Sequence, residues 1–228
     1  MISVVYTLGK GSLFKDFEIR MSIRSVEKNV SGIKDIWVVG HCPEWLKVNH
    51  IPATDPYEIP DRNIVSKILK ACDNPDITED FLFLNDDHFI LSPYEAATMP
   101  YYWSEEIPAY LKKRGLSDNY GKRVKNVYDH LVSKGLPTKY FDIHTPIIYN
   151  KTKFKEIMNG VDWNKPNAYL IKSLYANSLS IEGEQRFDNK TANPPVRNVG
   201  IFSTLPHIKA SVQRYLTERF PKPSKYEI

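Results

Sequence analysis

The chain has 228 residues, of which 42% are apolar, so it can bury a sizeable core, most simply as one domain. Its net charge of +4 is compatible with a phosphate-bearing substrate. No apolar stretch approaches the roughly 20 residues of a membrane span, and the N-terminus lacks the features of a signal peptide. Cys42 and Cys72 form no disulfide framework and lack metal-site spacing. We therefore expect a cytoplasmic protein with reduced thiols.

In the first half of the chain, short apolar stretches alternate with segments of helical spacing. The predicted strands are residues 2–8, 35–39, 48–51 and 81–84. The first predicted helix runs from residue 14 to about residues 29–32, after a break at residues 9–12. The second runs from Asp61, its expected N-cap, to about residue 71, after a loop at residues 52–60. This order predicts an α/β fold with a mostly parallel central sheet flanked by helices. Such sheets bind ligands beyond the carboxyl ends of their strands.

The second half is less regular. The predicted helices are residues 122–133, 151–158, 168–178 and 205–220, and residues 189–198 are a predicted loop. A further strand at residues 141–149 contains Pro146, which makes it an edge strand or a bend because proline donates no ladder hydrogen bond.

An apolar run at residues 81–84 leads directly into Asn85, Asp86, Asp87 and His88. Burying unpaired carboxylates costs several kcal/mol, and a divalent cation would offset that cost. Strand alternation predicts Asn85 and Asp87 on one side and Asp86 and His88 on the other. Asn85-x-Asp87 is spaced like the Asp-x-Asp element that holds a metal and a diphosphate in nucleotide-sugar transferases. The alternative is an acidic turn whose carboxylates cap the next helix.

Several separated segments share residues with one known family. They are Val4-Val5-Tyr6-Thr7, residues 20–28, Ile36-Trp37-Val38-Val39 with Pro43-Glu44-Trp45-Leu46, residues 83–89, His144-Thr145-Pro146 and residues 220–227. In this order they resemble the Stealth family, which includes bacterial capsule sugar-phosphate transferases and the lysosomal-enzyme N-acetylglucosamine-1-phosphotransferase. Leu8-Gly9 departs from the family's Trp-Val-Asp, and His88 replaces an aromatic residue.

The resemblance implies a GT-A-like nucleotide-sugar fold and leaves open whether a sugar or a sugar-1-phosphate is transferred. We expect a single catalytic domain over residues 1–228, with a nucleotide-sugar-binding half at about residues 1–100 and an acceptor half at about residues 101–228.

The expected cofactor is Mn²⁺ or Mg²⁺. Two carboxylates about 4 Å apart repel by roughly 4 kcal/mol at an effective dielectric of about 20, and a divalent ion offsets this repulsion. We expect Asp87 to be the first ligand, and also a catalytic residue, with Asp86 as the second ligand. Asn85 and His88 are supporting candidates, and His207 is a weaker ligand candidate from the C-terminal region.

The expected donor contacts come from two helices and the end of the first strand. Arg24 is a candidate for the donor phosphates, and the alternative is a surface salt bridge. Arg62, Asn63 and Lys67 lie at the start of the second helix, where cations and helix N–H groups suit a diphosphate; the alternative is a solvated face. Thr7 and Leu8 would border the nucleotide base, and Asn85 would support the donor.

The candidate general bases are His144 and Asp142. A histidine between an aspartate and Thr-Pro could deprotonate an acceptor hydroxyl or bind the metal. Asp142 lies on the same strand face and could itself be the base. A purely structural histidine is the alternative.

The expected partners are a nucleotide-sugar donor and an acceptor that is a polysaccharide, a glycan or DNA. A segment of lysines, arginines and tyrosines at residues 110–128 and a basic C-terminal region at residues 209–225 suit a polyanion. Aromatic residues at 101–103 could instead stack on a sugar ring. The remaining alternatives are a solubilising surface and a non-catalytic binding module.

Overall fold

The computed structural model describes residues 1–10, 14–196 and 199–228. Part of the predicted break, Gly11 and Ser12, lies outside the described residues, as do the last two positions of the predicted loop at 189–198. Phe14, where the first helix was predicted to start, is described and precedes that helix by three residues.

The helices and strands follow one another along the chain as α/β units. The strands are β1 (Ile2–Leu8), β2 (Val30–Ser31), β3 (Ile33–Gly40), β4 (Asn49–Pro52), β5 (Asp80–Leu84), β6 (His88–Ile90), β7 (Tyr94–Glu95), β8 (Tyr102–Trp103), β9 (Ile147–Asn150), β10 (Glu184–Gln185), β11 (Lys190–Thr191) and β12 (Ile201–Thr204). The helices are α1 (Phe17–Asn29), α2 (Pro60–Asp73), α3 (Ile107–Arg114), α4 (Asn119–Ser133), α5 (Lys151–Asn159), α6 (Ile171–Ser178) and α7 (Ala210–Arg219), with a 3-10 turn at Ala96–Thr98.

The central sheet has five strands in the order β4-β3-β1-β5-β9. The first four strands are parallel, and β9 runs antiparallel to β5. Every residue of β1 is buried, as expected for a central strand covered on both faces. A hydrogen bond of 3.0 Å between the hydroxyls of Tyr6 and Ser22 joins β1 to α1. The predicted α/β class with a mainly parallel sheet is confirmed.

The chain forms two compact units. The first comprises Met1–Met99, His144–Lys151 and Asp188–Ile228, and the second comprises Pro100–Ile143 and Thr152–Phe187. The first unit contains the central sheet and a three-stranded sheet of order β11-β12-β6. The predicted single catalytic domain, with halves meeting near residue 100, stays a prediction.

The three-stranded sheet is held in place by an apolar cluster that it shares with α1 and α7. The rings of Phe89 and Phe202 lie 5.0 Å apart between their centroids. The buried members of this cluster are Met21, Phe89, Leu91, Phe202, Ile208, Val212, Leu216 and Phe220. Because β6 and β12 carry both this apolar face and the residues beside Asp87, the cluster fixes the position of the site.

Several predicted boundaries are wrong for local reasons. Helix α2 begins at Pro60 after the N-cap Ile59, so Asp61 lies in the first turn and is not the N-cap; proline suits the first helical position, where no N–H partner is lost. Strand β9 begins only at Ile147, after Pro146. The last helix starts at Ala210, and the predicted loop at 189–198 contains β11. No helix within the described residues is long and apolar enough to cross a bilayer.

Candidate functional site

The predicted acidic stretch is a turn between two strands. Strand β5 ends at Leu84, and the backbone N–H of His88 donates to the carbonyl of Asn85 at 3.2 Å. The expected strand alternation of Asn85 to His88 is therefore wrong, because residues alternate between faces only while the chain is extended. The Asn85 N–H also donates to His88 Nδ1 at 3.3 Å, and the His88 ring is fully buried. His88 thus closes the turn that presents the two carboxylates.

Asp86 and Asp87 lie close to Glu18, which comes from the first turn of α1. We call these three residues the acidic cluster. Burial, together with the nearby charges of Asp87 and Glu18, raises the pKa of Asp86 to about 7. Burial likewise raises the pKa of Glu18, against a hydrogen bond from the Thr204 hydroxyl. The acidic cluster therefore holds an excess of negative charge that a cation would stabilise.

The carboxylate of Asp87 is fixed on one side only. Its Oδ2 accepts a hydrogen bond of 2.6 Å from the Ser203 hydroxyl and lies 3.6 Å from the Lys190 ammonium. Its Oδ1 is buried and accepts no hydrogen bond from the described residues, with His88 Nε2 at 4.0 Å. One carboxylate oxygen is thus held in place while the other remains available to a ligand.

These residues fit Mn²⁺ or Mg²⁺ as a partner. Such ions keep several waters and are bound by one or two carboxylates together with substrate phosphates. Within the described ranges no three His, Cys, Asp or Glu side chains form a ready-made metal cage. A metal held by Asp86 and Asp87 would take its other ligands from phosphate or water. His207, the other predicted ligand, lies at an exposed bend after β12 and is not placed in the acidic cluster.

The carboxyl ends of β1 and β3 come very close together beside α2. The carbonyl of Leu8 accepts hydrogen bonds from Lys67 Nζ at 2.9 Å and from the His41 N–H at 3.0 Å. At Gly40 φ is +122°, and a Cβ there would lie 2.0 Å from the Leu8 oxygen. Thr7 Oγ1 is buried without a hydrogen-bond partner among the described residues. Thr7 and Leu8 thus end β1 at the edge where a ligand is expected.

The predicted donor residues of α2 make structural contacts. The buried Lys67 also bonds Asp55 Oδ1 at 2.5 Å. The Asn63 side chain bonds both the N–H and the carbonyl of Tyr57, at 3.0 and 2.7 Å, and so shapes the preceding loop. The Nε of Arg62 is buried without a hydrogen-bond partner in the described part of the chain. Their role in donor binding stays a prediction.

Arg24 forms a salt bridge, which the sequence had left open as the alternative to a contact with the donor phosphates. Its Nε donates to Oε1 of Glu227 at 2.6 Å and its second terminal nitrogen donates to Oε2 at 2.7 Å. The remaining terminal nitrogen donates to the carbonyl of Phe220 at 3.0 Å. Because this guanidinium is committed to the C-terminal segment, the structure favours a salt bridge over a phosphate contact.

His144 has a partner that sequence reasoning missed. Its Nδ1 lies 2.7 Å from Oδ2 of Asp188, and its backbone N–H donates to Oδ1 at 3.1 Å. A carboxylate only accepts hydrogen bonds, so the Nδ1 atom carries the proton and Nε2 has a free lone pair in the neutral ring. No local pattern marks Asp188, which is 44 residues away in the sequence.

Asp142 caps a helix. Its carboxylate accepts the backbone N–H groups of Lys172 at 3.1 Å and Ser173 at 2.8 Å, in the first turn of α6. Burial raises the pKa of Asp142, against the hydrogen bonds from Ser173. The predicted role as a base stays a prediction, and the structural role is directly visible.

The positive charge of the basic segment at residues 110–128, in the second unit, is partly neutralised by ion pairs. Three of its cations form ion pairs, namely Lys113 with Glu105 at 2.7 Å, Arg114 with Asp118 at 2.5 Å and Lys125 with Asp129 at 2.6 Å. Two of its tyrosines pack on Tyr140: Tyr110 stacks on it at 4.1 Å, and Tyr120 bonds its hydroxyl. These contacts favour a solvated, structural surface over a continuous polyanion track.

One of three comparisons with known proteins indicates the fold. No model of a protein family matches the sequence, and no curated protein sequence matches it. The galactosyltransferase LgtC, in complex with donor and acceptor sugar analogues, superposes with a TM-score of 0.51 at 11% identity, over 98% of this chain and 97% of LgtC. An active-site mutant of LgtC gives a TM-score of 0.53 at the same identity and coverage.

The glycosyltransferase GlyE of Streptococcus pneumoniae TIGR4 gives a TM-score of 0.41 at 9% identity, over 82% of this chain and 45% of the GlyE chain. The chain therefore spans less than half of that GlyE structure. The structural likeness to LgtC, with the parallel sheet described above, shows that this chain has the fold of GT-A-type glycosyltransferases.

Proposed function

We propose that this protein is a cytoplasmic transferase that uses a nucleotide-sugar donor and moves a sugar or a sugar-1-phosphate to a hydroxyl acceptor. The observation that carries the proposal is the acidic cluster, in which Asp86 and Asp87 directly follow strand β5 of the central sheet of a GT-A-type fold. The resemblance of the motif segments to the Stealth family supports the sugar-1-phosphate form. LgtC binds donor and acceptor sugar analogues, which supports the sugar form.

Asp86 and Asp87 would hold Mn²⁺ or Mg²⁺. When bound, the metal supplies positive charge that stabilises the departing nucleotide. The chain's own contribution is orientation: Ser203 holds Asp87 Oδ2 and leaves Oδ1 available. The turn closed by His88 presents both carboxylates on the same side as the ends of β1 and β3, where Thr7 and Leu8 would border the base. The other residues proposed to contact the donor are Asn85, Arg62, Asn63 and Lys67.

His144 is the proposed general base. Asp188 holds the Nδ1–H, so Nε2 can accept the proton of the acceptor hydroxyl as that oxygen attacks the donor. The same geometry would stabilise the imidazolium that forms, because Asp188 carries the opposite charge. Lys190, which contacts Asp87, is two positions after Asp188, and two extended residues span at most about 7 Å. The base and the acidic cluster are thus linked by one short stretch of chain.

We propose a polysaccharide or glycan as the acceptor. The ion pairs of the basic segment leave fewer cations for a nucleic-acid backbone, so DNA is the second choice. A non-catalytic binding module would have no need of a histidine oriented by Asp188 together with the paired carboxylates of Asp86 and Asp87.

The test is donor turnover. The protein is incubated with a panel of nucleotide sugars and Mn²⁺, with and without EDTA, and the released nucleotide is identified. A released nucleoside monophosphate indicates sugar-1-phosphate transfer, and a diphosphate indicates sugar transfer. Asp87→Asn should lower turnover by more than about a hundredfold, which is on the order of 3 kcal/mol in the barrier. The matched control is Asp129→Asn, an exposed aspartate of α4. Full activity of Asp87→Asn, or no turnover of any donor by the wild type, would contradict the proposal.

A further inference from the structure

The three-stranded sheet places a lysine directly beside the acidic cluster. Lys190 of β11 is paired with Ser203 of β12, and Ser203 is paired with His88 of β6. Side chains at paired positions lie on the same face of a sheet. The register therefore brings Lys190 beside Ser203, whose hydroxyl bonds Asp87, and Lys190 Nζ lies 3.6 Å from Asp87 Oδ2.

The contact between Lys190 and Asp87 is an ion pair without a tight hydrogen bond. A separation of 3.6 Å exceeds the range of N–H···O hydrogen bonds. The Lys190 side chain is 26% exposed, and its four-carbon stem allows the ammonium to move. Asp87 Oδ2 already accepts a hydrogen bond from Ser203, so its position does not depend on the lysine. Lys190 is thus held by charge and can leave Asp87 when another cation arrives.

Resting on the proposed function, we propose that Lys190 is a second, built-in cation of the donor site. In the free protein its ammonium balances the charge of Asp87. When a divalent ion binds Asp87, the ammonium is released and contacts the diphosphate of the donor, where it stabilises the leaving nucleotide. Lys190 is then a catalytic residue that competes with the metal for Asp87 and cooperates with it at the phosphates.

This proposal predicts effects of opposite sign in one variant. Replacing Lys190 with Met keeps much of the apolar stem and removes the charge. Mn²⁺ alone should bind Lys190→Met about three- to fivefold more tightly, because a partly exposed ion pair no longer competes. Pyrophosphate, the part common to nucleotide-sugar donors, should bind about tenfold more weakly, because a charge-assisted contact is lost. Electron paramagnetic resonance measures the first quantity and calorimetry the second.

Two further variants serve as controls. Lys190→Arg keeps the charge and should stay within about threefold of the wild type in both measurements. Lys112→Met removes an exposed lysine of α3 and should change neither. Thermal unfolding of each variant checks that it is folded. Because Lys190→Arg keeps the positive charge, the difference between it and Lys190→Met reports the effect of that charge.

The outcomes separate this inference from the proposed function. If Mn²⁺ affinity and pyrophosphate affinity are both unchanged in Lys190→Met, Lys190 has no role at the donor site. Weaker binding of both Mn²⁺ and pyrophosphate would also overturn the proposal, because it removes the competition for Asp87. If the wild type binds no Mn²⁺, the metal of the proposed function fails, and the release of Lys190 from Asp87 fails with it. If the wild type binds Mn²⁺ and turns over a donor while Lys190→Met changes neither affinity, only the role of Lys190 fails.

Discussion

Glu227 joins the C-terminal segment to α1 through a set of charged hydrogen bonds. Arg24 donates to both of its carboxylate oxygens, Arg20 donates to Oε2 at 2.5 Å, and the Ser224 N–H donates to Oε1 at 2.9 Å. The Glu227 side chain is only 4% exposed. We predict that Glu227→Gln lowers the free energy of unfolding, because the neutral amide cannot accept from all of these donors.

The magnitude follows from the pKa of the carboxyl group. Burial alone would raise the pKa of Glu227, but the hydrogen bonds from Arg24, Ser224 and Arg20 outweigh it and lower the pKa from 4.5 to about 2. A tenfold change in proton affinity corresponds to about 1.4 kcal/mol. The full drop therefore corresponds to about 3 kcal/mol, and we expect about 2 kcal/mol because Arg20 is partly solvated.

The pH dependence has a definite direction. A carboxyl group with a lowered pKa stabilises the folded state above its unfolded pKa, and this stabilisation is lost as the pH falls through the folded pKa. The difference between the wild type and Glu227→Gln should be constant above about pH 5 and should shrink between about pH 4.5 and pH 2.

Urea unfolding at pH 7, 4 and 3 measures this difference. The matched control is Glu182→Gln, because Glu182 also forms an ion pair, with Lys139, but its side chain is 94% exposed. We expect the control to change the free energy of unfolding by less than about 0.5 kcal/mol. A loss below about 0.5 kcal/mol for Glu227→Gln at pH 7, or one that does not shrink at low pH, would refute this reasoning.

Three further predictions concern the edge of the sheet, the cap of α6 and the candidate base. Gly40→Ala should lower the free energy of unfolding, measured in urea, by more than about 2 kcal/mol, because the new Cβ meets the Leu8 oxygen. The control Gly135→Ala places its Cβ in open space and should cost about 1 kcal/mol. Equal losses in the two variants would contradict the steric explanation. Asp142→Ala should cost about 1 to 3 kcal/mol, because two N–H groups of α6 lose their acceptor, and an unchanged unfolding midpoint would exclude the capping role. Asp188→Ala should move the His144 proton from Nδ1 towards Nε2, as seen in long-range ¹H–¹⁵N spectra of the ring, and an unchanged tautomer would show that Asp188 does not orient His144.

The fold class could be predicted because it depends on local pattern. The apolar strand stretches and the helical spacing between them are properties of neighbouring residues, and they suffice for a parallel α/β sheet. Boundaries were wrong where a single residue decides them. Pro60 starts α2 one residue before Asp61, and Pro146 delays β9, since each removes a backbone donor.

The site could be predicted only in part. The carboxylates Asp86 and Asp87 are adjacent in the sequence, so their pattern was visible. The residues around them come from distant segments: Ser203 and Lys190 reach Asp87 through the pairing of β12 with β6, and Glu18 reaches it from α1. These contacts are set by the register of strands and the packing of a helix, which no local spacing encodes. For Arg24 the sequence left a phosphate contact and a salt bridge open, and it could not identify the salt-bridge partner Glu227, which is 203 residues away.

The position of the metal tests the proposed site most directly. Crystals grown with Mn²⁺ and a nucleoside diphosphate are measured for anomalous scattering of manganese. We predict one anomalous peak about 2.2 Å from carboxylate oxygens of Asp87 or Asp86, with the diphosphate on the same ion and the base beside Thr7 and Leu8. A diphosphate bound elsewhere, or manganese that avoids both carboxylates, would contradict it.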